Sequence, residues 1–245
     1  MNIDKASQDT VKKPKVFSGS IALTIDMDEQ KANIFDEDGS IELAYIKPKN
    51  VLVMHAISEI VTGGPSNTAL NSRSLQFRDR MFTQNRLHPE LFAQYQYDQV
   101  KGLQNRLLAG ANARYIIKDK GTFRIFAATG FMYEFEDWNY KGILNIHDVP
   151  PNKNDTTRGV IKSTSYIRFS KYFGSKVDFS LVVFYQAQPD LFFKSPRIAE
   201  FAQLNFDISD HFSLDFEYDS MYDTKPLVPI KKYYFSFNEG LTVKF

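Results

Sequence analysis

Residues Gly121–Trp138 read GTFRIFAATGFMYEFEDW. Every second residue forms one set: Phe123, Ile125, Ala127, Thr129, Phe131, Tyr133 and Phe135. Between them lie Arg124, Phe126, Ala128, Gly130, Met132, Glu134 and Glu136. Successive side chains of a strand point to opposite faces, so the segment predicts one strand with an apolar face and a mixed one. It exceeds the ~9–11 tilted residues that cross a hydrocarbon layer. Ordinary globular strands are nearer ~5–6 residues.

The same period of two runs outward in both directions. Leu91–Asp98, Arg106–Lys118, Val177–Gln188, Ala202–Ile208 and Phe212–Asp219 all alternate. Weaker segments are 16–28, 34–47, 51–61, 72–84, 158–172 and 231–245. Asp79 falls on the apolar face of 72–84, and 51–61 fits neither phase cleanly. The connections alternate in length. KPKN, QNRLHPE, KDKG, FGSK and SDH are compact, whereas TGGPSNTALNS, 139–157, QPDLFFKSP and DTKPLVPI are longer. Short turns at one end and longer loops at the other mark a transmembrane barrel. The expectation is therefore an all-β fold, a transmembrane antiparallel up-and-down β-barrel of about twelve strands over residues 15–245. Residues 1–14, polar and lysine-rich, read as a flexible periplasmic N-terminal extension. An even strand count puts both ends of the chain on the periplasmic side.

Composition narrows the function classes. The 245 residues carry 30 basic and 29 acidic side chains, and a net charge of +1 argues against a nucleic-acid partner. Cysteine is absent, which removes disulfides, thiol nucleophiles and zinc-finger spacings. Aromatic residues make up 15% of the chain, and a barrel in lipid can place them outside. No stretch approaches the ~20 apolar residues of a membrane-spanning helix. An outer-membrane protein needs an export signal; MNIDKASQDTVKKPK has no apolar region, so one is expected upstream of it.

The chain closes on YYFSFNEGLTVKF, with Phe237, Leu241, Val243 and Phe245 on one face. Alternate apolar residues ending on phenylalanine resemble the signal read by the barrel-insertion machinery. The segment RLHPELFAQYQYDQVKGLQNRLLAGANARY, followed by ATGFMYEFEDW, resembles the family of salt-induced outer-membrane proteins. That is a domain family of unknown function, and its Bacteroidetes-type members look closest. The likeness is strongest from Leu75 to Trp138, with Arg106, Gly110, Arg114 and Tyr133-Glu134 at the family's recurrent positions. It implies a barrel in the bacterial outer membrane and brings no assigned activity.

The residues able to carry chemistry reduce to the charges. His55, His88, His147 and His211 show no metal-ligand spacing, and Asp137, Asp148 and Asp155 match no calcium cage. No serine stands in a nucleophile context, and no phosphate loop occurs. The expectation is a protein that is not an enzyme and has no metal, cofactor or catalytic residue. Its candidate functional residues are charges on the predicted lumen face: Arg78, Arg80, Asp98, Arg106, Arg114, Arg124, Glu134, Glu136, Lys162, Arg168, Asp178, Asp207, Asp215 and Glu217. Paired with one another they plug a narrow barrel; left open they set the selectivity of a pore. The plugged reading makes the chain a structural or partner-binding component of an envelope complex. The open one makes it a small channel for ions or small solutes, and a third reading is a soluble β-barrel carrier. Expected partners are outer-membrane lipid, the insertion machinery and other envelope proteins.

Overall fold

The computed structural model describes residues 16–29, 33–63, 68–140 and 155–244. Twelve strands follow one another: β1 (Val16–Glu29), β2 (Asn33–Ile46), β3 (Asn50–Gly63), β4 (Thr68–Met81), β5 (Leu87–Asp98) and β6 (Leu103–Lys120). Then come β7 (Phe123–Asn139), β8 (Asp155–Phe173), β9 (Val177–Ala187), β10 (Arg197–Asp207), β11 (Phe212–Asp223) and β12 (Tyr233–Lys244). Each pairs antiparallel with its neighbours in the chain, and β1 pairs with β12, so the sheet closes into a barrel. Closure removes every sheet edge, which hydrocarbon demands because it cannot solvate backbone groups.

Side-chain polarity is inverted relative to a soluble protein. Outward positions include Leu52, Phe131, Ile161, Ile167, Phe235 and Phe237, all exposed. Inward positions include Arg106, Arg114, Arg124, Glu90, Glu134 and Glu136, all buried. A soluble carrier would place the apolar set inside. Exposed Tyr222 and Tyr233 lie toward the long-loop end, and Tyr115, Phe17, Phe173 and Phe212 toward the short-turn end. Two aromatic girdles flanking an apolar band are the interfacial pattern of a membrane barrel.

The turns are local chemistry. Gly121–Thr122 links β6 to β7, and Gly121 takes a φ of 63°, a conformation open to glycine at no steric cost. At the opposite end of the barrel lie the longer connections 188–196 and 224–232.

Several boundaries differ from those read in the sequence. Residues 62–72, read as a loop, are mostly strand: β3 runs to Gly63 and β4 begins at Thr68. β4 stops at Met81 rather than at residue 84. β5 and β10 begin earlier than expected, at Leu87 and Arg197. The strand 50–63 has an unbroken register with odd residues inward. It looked unphased because its lumen face is itself apolar near the short-turn end, where Val51 and Val53 pack with Ala44 and Ile46. Asp79 does face outward, between Leu52 and Leu91 at the short-turn rim. Residues 1–14, His147, Asp148 and Phe245 lie outside the described residues.

Candidate functional site: the charged lumen

Alternation brings the inward charges of β4–β8 to one wall, where they form two clusters. The lower one is centred on Glu90 of β5, which is fully buried. Arg78 Nη1 lies 3.1 Å from its Oε1 and Arg80 Nε 3.3 Å from its Oε2. Asn112 Nδ2 donates to Oε1 at 3.3 Å, and the hydroxyl of Tyr166 lies 3.1 Å from both oxygens. Tyr166 sits on β8, so this contact spans the strands between β5 and β8 across the interior. Below it, Arg114 stacks on Phe126 at 4.0 Å and meets the ring of His88 at 3.3 Å.

The upper cluster is built on Glu134 and Glu136 of β7. Glu134 accepts from Arg106 Nε at 2.8 Å and from Arg197 Nη1 at 2.8 Å, and it pairs with Lys162. Glu136 accepts from Arg197 Nη2 at 2.9 Å and Arg158 Nη2 at 2.7 Å. Arg197 also reaches Asp223, Nη2 to Oδ2 at 2.8 Å. Ions so far from water stay charged only when each is paired and hydrogen-bonded, and here the pairing is mutual. Together the two clusters fill the β4–β8 side with more cations than carboxylates.

The opposite wall has another character. β11 carries Asp215, Glu217 and Asp219 at alternate lumen positions, with β2 contributing Glu42 and β3 Glu59. Asp215 accepts from Ser213 at 3.0 Å and Glu217 from Gln203 at 2.7 Å, both neutral donors. Lumen-facing Ser236 is exposed and Ile57 is 41% exposed, so this side of the interior is hollow toward the long loops, while Asp215, Asn205 and Thr242 are buried toward the short turns. At its short-turn end Lys244 pairs with Asp207. Asn205 donates to Asp178 at 3.1 Å.

The 224–232 connection crosses the long-loop mouth. Val228 is buried against Leu103 and Trp138, on β6 and β7, with Leu227, Ile230 and Tyr140 packed around them. β6 and β7 stand opposite the β11–β12 hairpin in the strand order, so the segment is a strap across the bore. Thr224 ties it to the neighbouring loop through Pro196 O, 2.9 Å from Oγ1. Beside it, Lys101 pairs with Asp98 at 2.6 Å and lies 4.5 Å over the Tyr234 ring. Burial works against the Lys101 charge, but Asp98 outweighs it and holds the ammonium above the ordinary lysine range.

Of the charges proposed from sequence, Arg78, Arg80, Arg106, Arg114, Glu134, Glu136 and Lys162 meet in the two clusters. Arg124 pairs with Asp119 at 3.2 Å near the short turns. Arg168 faces inward on β8, opposite Phe126 and Val182. Asp98 sits at the mouth, and Asp178, Asp207, Asp215 and Glu217 lie on the other wall. The reading missed Glu90, Arg197, Arg158 and Tyr166. Phe237, Leu241 and Val243 are exposed on the outer face of β12.

With this geometry in place, comparison with known proteins assigns the family. A family model described as "Protein of unknown function, DUF481" matches residues 61–245. The chain belongs to this family. No curated protein matches the chain. Among solved structures it is similar to the translocator domain of the autotransporter NalP from Neisseria meningitidis. That match has 11% identity and a TM-score of 0.50, and covers 98% of this chain and 92% of that one. It is also similar to the COG4313 outer membrane channel from Pseudomonas putida F1, at 8% identity and a TM-score of 0.51, covering 95% and 96% respectively. These likenesses establish the fold of this DUF481 member as that of an outer-membrane β-barrel.

Proposed function

We propose that this DUF481 barrel resides in the bacterial outer membrane and conducts small cations through the hollow side of its lumen, without catalysing a reaction. The observation that carries this reading is the segregation of charge. Cations of the β4–β8 wall lie buried in the clusters around Glu90, Glu134 and Glu136, while Glu217, Asp219 and Glu42 border the hollow side. Carboxylates in a hydrated, low-dielectric passage raise the local concentration of cations and repel anions. Twelve strands lie between barrels filled by side chains and open porins, so the passage is narrow. The test is single-channel recording in planar bilayers with a salt gradient. The expected result is a small conductance with a cation-selective reversal potential that falls toward zero in Glu217→Gln/Asp219→Asn. Folded protein without conductance above background, or with anion selectivity, overturns the proposal.

A partner-binding role in an envelope complex is favoured by a different observation. Phe193, in the 188–196 loop, is 87% exposed and stacks edge-on against Phe192 at 4.9 Å. Photo-crosslinking from position 193 in intact cells would capture such a partner. An absence of protein adducts there removes this reading.

A further inference from the structure

The outer wall carries a groove that the lumen reading does not use. It is an apolar trough of about 570 Å³ running over β4–β7, within the ~300–1,000 Å³ typical of ligand sites. Register explains it. One row of outward residues crosses these strands as Phe77, Ala93, Ala109 and Tyr133, and the next row includes Leu75 and Phe135. In the first row the two middle strands present only the methyl groups of Ala93 and Ala109 between the rings of Phe77 and Tyr133, leaving a channel wide enough for a hydrocarbon chain.

The trough has polarity along its length. One row further toward the long loops, on the same face, Arg73 stands opposite Tyr97, and Arg73 is exposed. Beside it the Tyr95 hydroxyl donates to Asn105 Oδ1 at 2.9 Å. The surface therefore changes over one strand row from purely apolar to cationic and hydrogen-bonding. An arginine at this level reaches the headgroup layer while its stem stays on apolar surface. Guanidinium groups bind phosphate oxygens in bidentate fashion, so an anionic phosphate head fits this end.

We infer that the β4–β7 trough is a specific lipid site, holding one acyl chain between Phe77 and Tyr133 with the phosphate head of its lipid on Arg73. Because the site opens at the long-loop end, the occupant is a phosphorylated, multiply acylated lipid of the outer leaflet. The inference is independent of conduction, since every residue in it faces away from the lumen.

The test is native mass spectrometry of the full chain released from mild detergent, with bisphosphorylated lipid A and its dephosphorylated form as probes. Wild type is expected to retain the phosphorylated probe several-fold more than the dephosphorylated one. Arg73→Gln should erase that preference while leaving acyl retention. Ala109→Phe, which fills the trough from the lipid side, should lower retention of both. Heat-modifiable migration on gels confirms that each variant is folded; should Ala109→Phe not fold, Ala93→Leu replaces it. Equal retention by wild type and the trough-filling variant, or equal retention of the two probes by wild type, overturns the site.

Discussion

Arg197 of β10 binds Glu134 of β7 across the interior, Nη1 to Oε1 at 2.8 Å, while its other nitrogens hold Glu136 and Asp223. One side chain thus ties three strands of wall and the root of the strap into a single ionic unit. Its weakness is the same as its strength, because no member can be removed without stranding the others.

Glu134→Gln should expose that weakness. Arg106, Lys162 and Arg197 would lose their common carboxylate in a site from which water is excluded. Breaking one partner of a buried ion pair costs about 3–5 kcal/mol. Urea unfolding from detergent micelles should show a loss of this order. Replacing Lys162 by Met in the same chain should restore part of it, since one stranded cation is then gone.

Val228→Asp should loosen the strap. Val228 is 2% exposed against Leu103 and Trp138, and a carboxylate there would be desolvated without a partner. The expected outcome is a larger single-channel conductance than wild type at unchanged ion preference. The recording that measures selectivity reads it directly.

Gly130→Ala should block folding. A Cβ at this position would run into the backbone oxygen of Ala111 and the side chain of Asn112 on the adjoining strand. The β6–β7 ladder cannot close around it without shifting. The measurement is the heat-modifiable band on refolding into lipid, which should be absent or strongly reduced.

Charge placed on the outer wall should be penalised by depth. Phe131→Arg, mid-strand and exposed to lipid, should cost about 2–4 kcal/mol, and Phe173→Arg at the rim about 0–1. Equilibrium refolding into lipid vesicles compares the two. Equal costs would place the hydrocarbon layer elsewhere on the barrel.

The sequence was most legible where lipid is. Between Phe123 and Phe135 the outer face must be apolar and the inner face need not be, so alternation is plain. Where β3 and β4 approach the long loops, that demand weakens and the pattern fades into what looked like a loop. Glu90 and Arg197 were missed for a related reason. Each follows closely on a proline, Pro89 and Pro196, and both stretches read as turns. In the barrel Pro89 lies within the β5–β6 ladder, opposite Ala113. The lumen charges of β6–β8 could be named from phase alone. Which of them meet depends on contacts such as Tyr166 to Glu90, whose partners stand 76 residues apart in the chain.

The joint between the first and last strands has a mechanical consequence. Its ladder pairs Ser20–Leu23 with Leu241–Lys244, while β7 and β8 are laced along all of Phe123–Asn139. A cylinder pulled apart by its ends tears where it is stitched most lightly. Drawn out of a membrane by a force probe, this barrel should peel away from its β1–β12 join one strand or hairpin at a time, and the β6–β8 sheet should be the last piece to let go.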